Sequence, residues 1–302
     1  MPNIGLFSVV SQELKHPGIL VKLKKIALSA VCVTASLTSI SGLTQTTTAE
    51  PESSITYSVG VVSDYRYRGI SQSGRKPAFQ VGVDYADKSG FYAGNWNSTI
   101  QWIKDTADSS VASHQTARGP LEMDFYAGYK NAFTELLGYD VGVLQYFYPS
   151  NSLGGVSNSY NGVSGNFSNA NTTELYGSLS AGAFVMKLSD SLTNLFGYVG
   201  SKNSVYVDLS YSFDFGDGLS SIVHYGNQSI RATNAAVVTQ GVRDYNDFSM
   251  SLNQDFDGIV VSATVIGTDW VKRGARTNDT LPGSGTTNIA GNAVVFGAKK
   301  NF

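Results

Sequence analysis

The 302 residues carry 15% charged and 12% aromatic side chains, with 17 Tyr, 15 Phe, 32 Gly and only 7 Pro. A mean hydropathy of −0.08 excludes a helical membrane protein, whose spans would be far more apolar, and the aromatic content excludes a disordered chain. A formal charge of −2 leaves no basic footprint for nucleic acid.

Residues 1–49 differ from the rest. Lys22, Lys24 and Lys25 precede the apolar run IALSAVCVTASLTSI (26–40). A basic stretch, an apolar run of this length and small residues after it predict a cleaved signal peptide, cut near Ala49 or around Ser41 and Gly42. A membrane anchor is the alternative, but the run is shorter than the ~20 residues a spanning helix needs. The single cysteine, Cys32, lies in the middle of the run, so an exported chain of residues 50–302 has no disulfide to hold it. Losing four lysines and one glutamate with the segment takes the net charge to −5.

From residue 50 onward no 3.6-residue period persists, and apolar side chains alternate with polar ones. The pattern predicts about twelve strands, at 55–69, 78–86, 91–102, 121–130, 137–148, 172–181, 183–188, 204–213, 219–227, 247–254, 259–268 and 288–302. The first would set Ile55, Val59, Val61, Tyr65 and Tyr67 on one face. The third would set Tyr92, Trp96, Ile100 and Trp102 against Asn95, Asn97, Thr99 and Gln101. In YVDLSYSF (206–213), Val207, Leu209, Tyr211 and Phe213 oppose Asp208, Ser210 and Ser212.

Connections alternate between long and short. DFGDG and DFDG are tight turns, whereas 103–120, 149–171 and 269–287 are long and polar. That alternation, with strands of ~9–11 residues, is the pattern of a transmembrane β-barrel. Lipid leaves no water for an unpaired backbone group, so the sheet must close on itself. The fold expected is therefore all-β, a closed antiparallel barrel of about twelve strands with short periplasmic turns and long extracellular loops. A soluble exported β-sandwich or lipocalin-like barrel is the alternative, with the apolar face as its core.

Aromatic side chains belong at the two membrane interfaces. Tyr65, Tyr67, Phe79, Trp102, Phe147, Tyr225, Phe248 and Trp270 are expected at the outer one. Tyr85, Tyr92, Tyr129, Tyr139, Tyr211, Phe213 and Phe302 are expected at the periplasmic one. Phe302, ending an amphipathic last strand, is the feature expected to engage the barrel-assembly machinery. The opposite parity collects lumen candidates: Asp64, Arg66, Arg68, Gln80, Asp84, Glu122, Asp124, Lys130, Asp140, Tyr146, Tyr148, Glu174 and Asp208, with Lys187 and Asp247 beside them. Rings of such charges filter solutes in pores, and in a narrow barrel they also pair into networks that plug it.

SDYRYRGISQSGRKPAFQVGVDY (63–85), GFYAGNWNST (90–99), LEMDFYAGY (121–129), YFYP (146–149) and TELYGSLS (173–180) resemble the TorF family of porin-like proteins of proteobacteria, and the likeness runs over essentially all of the exported chain. Trp96-Asn97-Ser98-Thr99 departs from the W-x-S-N usual there. The resemblance implies an outer-membrane channel and names no substrate.

The reading is thus a channel for passive diffusion of small hydrophilic solutes or ions, with outer-membrane lipid, the assembly machinery and small polar solutes as partners. No cofactor, metal, nucleic acid or catalytic role is expected. A structural or adhesive barrel with a closed lumen is the second reading. A lipid-facing Ser-His hydrolase using His224 and Ser220 is the third.

Overall fold

The structure, a computed structural model, describes residues 53–108, 118–155, 157–160, 163–231, 244–269 and 289–302. Twelve strands build it: β1 Ser53–Val62, β2 Ala78–Asp87, β3 Phe91–Thr99, β4 Leu121–Ala132, β5 Leu137–Phe147, β6 Thr172–Ala181, β7 Phe184–Ser191, β8 Val205–Gly216, β9 Leu219–Ser229, β10 Tyr245–Phe256, β11 Ile259–Thr268 and β12 Ala293–Asn301. Each pairs antiparallel with its sequence neighbour, and β12 returns to β1 to close the barrel. At the seam Ser58 faces Asn301. Beyond it, Tyr57 and Phe302 exchange backbone hydrogen bonds of 3.2 and 2.9 Å. Closure leaves the barrel sheet no edge.

One end of the barrel carries only tight turns. Asp217 and Gly218, at φ 50 and 78°, and Asp257 and Gly258, at 52 and 85°, adopt the left-handed pair of a type I′ hairpin. The other end carries every long connection, including a short helix, Trp102–Asp108, after β3.

The barrel is apolar outside and polar inside. Ile55, Phe79, Phe125, Leu175, Tyr225, Met250 and Val265 point outward, and Leu179 and Phe296 expose 60 and 61% of their surface. Soluble monomers rarely show so large a contiguous apolar patch, whereas hydrocarbon solvates it. Arg68, Glu122, Asp124, Glu174, Asp208 and Asp247 are all buried within the barrel.

Three expectations fail in this fold. The first strand stops at Val62, not at residue 69, because the chain there turns into the barrel. The third strand stops at Thr99, where the helix follows. Its faces are also reversed: Trp96 is 6% exposed and Phe91 61%. The reason is space. Tyr92 lies opposite Gly128 and Tyr126 opposite Gly94, each ring covering the glycine across from it. Tyr176 covers Gly142 on β5 in the same way. Any side chain at those glycines would overlap the ring. On the outer face, Asn97 donates to Asn95 Oδ1 at 2.6 Å, and Asn95 donates to the Asp124 carbonyl at 3.0 Å, so both side-chain amide nitrogens are bonded.

Candidate functional site

Residues 63–76 form a strap that crosses the lumen at the long-loop end. It is self-bracing. Asp64 accepts from Arg66 Nε at 2.7 Å, from Ser71 Oγ at 2.5 Å and from Ser73 Oγ at 3.3 Å. A two-residue ribbon pairs Arg66 with Ser71 and Tyr67 with Ile70. Arg68 and Gly69, at φ 46 and 79°, turn it. The turn is pressed so closely to the wall that a Cβ on Gly69 would stand 2.8 Å from Asp247 Cβ.

Strands β3, β4, β5, β6, β8 and β9 and the segment before β12 hold the strap. Tyr65 donates to Glu122 on β4 at 2.5 Å and packs edge-on against Trp96 at 5.3 Å. The hydroxyls of Tyr67 and Tyr146 on β5 lie 2.5 Å apart. Arg68 Nη2 donates to both carboxylate oxygens of Glu174 on β6, at 2.9 and 2.8 Å, and Nη1 to Gln228 on β9 at 2.6 Å. Its guanidinium stacks 4.1 Å over the Tyr206 ring. Arg66 Nη1 donates to the Gly291 carbonyl at 2.6 Å. Burial pushes the Tyr65 and Tyr67 phenols well above the ordinary tyrosine range, so both remain protonated.

The strap divides the lumen unequally. On the side of β2–β6 it is packed by rings. Tyr67, Tyr146 and Phe196 meet pairwise at 5.2 to 5.6 Å, and Trp102 joins them through Tyr148 and Phe196. On the side of β7–β12 a cavity of about 180 Å³ remains. Ser210, Ser212, Ser249, Ser251, Asn253, Ser262 and Thr264 line it, together with the apolar Val62, Leu144, Val185, Ile222, Ile266 and Val295. Arg66, Gln80, Lys187, Asp208 and His224 add charge and hydrogen-bonding groups.

His224 is clasped on both sides. Nδ1 lies 3.1 Å from Asp208 Oδ2 and Nε2 2.9 Å from Asp247 Oδ1. The Tyr206 hydroxyl donates to Asp247 Oδ2 at 2.9 Å. Carboxylates thus occupy both ring nitrogens, which leaves neither for a serine nucleophile.

The lumen residues singled out from sequence all lie on the inner side of the wall or in the strap. Asp64, Arg66, Arg68, Gln80, Glu122, Asp124, Asp140, Tyr146, Tyr148, Glu174 and Asp208 are buried there. Asp84 accepts from Tyr126, and Lys130 lies 5.7 Å from the Tyr92 ring, both nearer the tight-turn end. The structure joins Asp64 with Arg66, and Arg68 with Glu174 and Tyr146, at the strap; lower down Asp140 accepts from the hydroxyl of Tyr92, expected at the interface, at 2.5 Å. His224, Gln228, Lys299 and the serine wall were not singled out for the lumen. Their signal was the same parity: Ser249, Ser251 and Asn253 alternate with Phe248, Met250 and Leu252.

Four aromatics expected at a membrane interface point inward instead. Tyr65 is 2% exposed and Trp102 7%. Tyr67 packs in the ring cluster, and Tyr92 sits beneath it beside Tyr176. Tyr65, Tyr67 and Trp102 lie beyond the strands, where strand parity no longer decides direction. Tyr92 follows the reversed face of β3. Tyr85, Tyr211 and Phe213 do face outward near the tight-turn end, and Tyr129 packs edge-on against Phe91 there. Phe302 is exposed beside the seam. Trp270 and the expected signal segment 1–49 lie outside the described residues.

No curated protein matches the sequence. Among solved structures the barrel is similar to the NanC porin, at 9% identity over 82% of this chain and 99% of that one, with a TM-score of 0.48. It is also similar to the KdgM porin, at 9% identity over 83% and 99%, with a TM-score of 0.45. A third is the outer membrane channel DcaP of Acinetobacter baumannii, at 10% identity over 84% and 99%, with a TM-score of 0.36. At these scores the likeness adds nothing to the fold read directly from strand pairing. The model of a family described as bacterial protein of unknown function, Gcw_chp, matches residues 46–302. The chain belongs to that family.

Proposed function

We propose that this protein is an outer-membrane channel for passive diffusion of small hydrophilic solutes or ions. The observation that carries the proposal is the contrast between an apolar exterior and a cavity beside the strap into which β8, β10 and β11 set serine, threonine and asparagine side chains. The serine, threonine and asparagine side chains offer hydrogen bonds to a polar solute, and the charged groups of the same wall are largely matched with one another. The strap is the constriction, and Arg68 with Glu174 sets its position. The sequence resemblance to TorF-type porins supports the same reading.

In this proposal the tight turns face the periplasm, the long loops face outward, residues 1–49 direct export, and Phe302 marks the seam strand for the assembly machinery. A closed structural barrel is the competing reading, favoured by the ring-packed half of the lumen. Swelling of liposomes that contain the refolded chain separates the two. The channel reading predicts faster swelling in small polar solutes such as glycine than in a large oligosaccharide. Swelling no faster than in empty liposomes favours the closed barrel.

A further inference from the structure

The outward face of β3 differs from that of every other strand in the barrel. Asn95, the central residue of the strand, and Asn97 point away from the lumen, opposite in parity to the buried Trp96. Among the described outward rows, the other polar side chains that carry no ring stand within three residues of a strand end, as Gln145, Thr173 and Asn227 do. Asn95 lies four residues from Phe91 and four from Thr99, roughly 10 Å from either along a tilted strand. That depth is the middle of the apolar band. Val81 and Val83 flank the two asparagines on β2, and Met123 and Phe125 flank them on β4.

Internal bonds do not exhaust these amides. Asn97 donates one N–H to Asn95, and Asn95 donates one to the Asp124 carbonyl, whereas an amide nitrogen carries two. Asn97 Oδ1 is enclosed and offers nothing outward, but both residues are only half-buried. Hydrocarbon gives an amide no partner, and polar side chains at such depth pair across contacts between proteins.

The surroundings indicate which protein. The outward rows of 79–85, 91–99 and 121–129 hold no charge, so two copies of this face meet without repulsion. An amide is donor and acceptor at once, and it therefore complements its own counterpart across a two-fold axis. Shape agrees with this. Ala93 and Ala127 are direct partners and both are exposed, which leaves a shallow hollow beside the exposed ring of Phe125. One face thus carries both a ring and the hollow that receives it.

We infer that β3 is the contact strand of a two-fold dimer within the membrane, in which Asn95 and Asn97 meet their counterparts and each Phe125 seats in the alanine hollow of the other copy. The inference rests on the outer face lying in lipid, and not on whether the lumen conducts.

The test is sedimentation equilibrium of the refolded full chain in density-matched detergent micelles, over a range of protein-to-detergent ratios. Heat-modifiable gel migration shows that each protein is folded. The native chain is expected to reach the mass of two copies. Asn95→Leu with Asn97→Leu should raise the dissociation constant at least tenfold, through loss of the amide contacts. Ala93→Phe fills the hollow without touching the asparagines and should weaken the dimer as much, so the inference stays testable if the double variant does not fold. Leu209→Ala, on the far wall, should change nothing. A micelle-bound native chain that stays monomeric at every ratio overturns the interface. So does a dimer that survives the asparagine and alanine variants, or one that Leu209→Ala weakens equally. A folded chain that remains soluble without detergent refutes the membrane reading, and this interface with it.

Discussion

Arg68 occupies a hairpin position where glycine or asparagine is the easy choice, at φ 46°. Its contacts explain the exception, because it joins the strap to β6 through Glu174 and to β9 through Gln228. Both charges are buried, so removing one leaves the other without a partner. Arg68→Met should destabilise the barrel by about 3–5 kcal/mol, and the double change Arg68→Met with Glu174→Gln should recover much of that loss. Urea unfolding in micelles, followed by tryptophan fluorescence, measures both. An unchanged midpoint in the single variant would remove Arg68 from this role. At the same scale, Asp64, Arg66 and Arg68 are buried in the strap, past the end of the ladder, so strand alternation does not account for their place. It misdirected Tyr65 and Tyr67, because that rule applies only while the backbone stays in the ladder, and the ladder ends at Val62. The pairing of Tyr65 with Glu122, 57 residues away, leaves no local mark.

Among the elements, β3 shows most clearly where strand patterning stops being informative. Its sequence reads apolar at Tyr92 and Trp96 and polar at Asn95 and Asn97, which suggests an outward ring face. Facing glycines decide otherwise: Gly128 gives room to Tyr92, and Gly82, the cross-strand partner of Trp96, lies beneath that indole. A glycine in a strand signals a close approach but not which strand brings the ring. In Trp270→Phe protein only Trp96 and Trp102 remain, and both lie inside. Lipids brominated on their acyl chains should therefore quench the tryptophan emission of this variant only weakly. Strong quenching would return β3 or the helix to the lipid face. The other strands were legible because their lipid-facing rows are predominantly apolar, as in Val207, Leu209, Tyr211 and Phe213.

For the whole molecule, strand number and the alternation of turns were readable because membrane geometry imposes both. Tight turns carry their own chemistry in Asp217-Gly218 and Asp257-Gly258, and long loops at the other end follow once every strand must cross. The division of the lumen was not readable. It depends on the strap meeting β4, β5, β6 and β9 at once, and no pair of neighbouring residues records that. The division has a consequence for function. In the channel reading a solute passes along the β7–β12 side, beside the strap, so its path is narrow and off-centre and the strap sets its width. Val62 and Ala78 are direct partners across β1 and β2. A short turn can therefore replace the strap without disturbing the register.

Single-channel recording in a planar bilayer tests the central claim most directly, with the intact chain and a strap-replaced variant compared at neutral pH in potassium chloride. The structure predicts small, discrete conductance steps for the intact chain and several-fold larger steps once the strap is gone. Silence from both proteins, after each has been shown to insert as a folded barrel, would contradict the claim that this barrel is a channel.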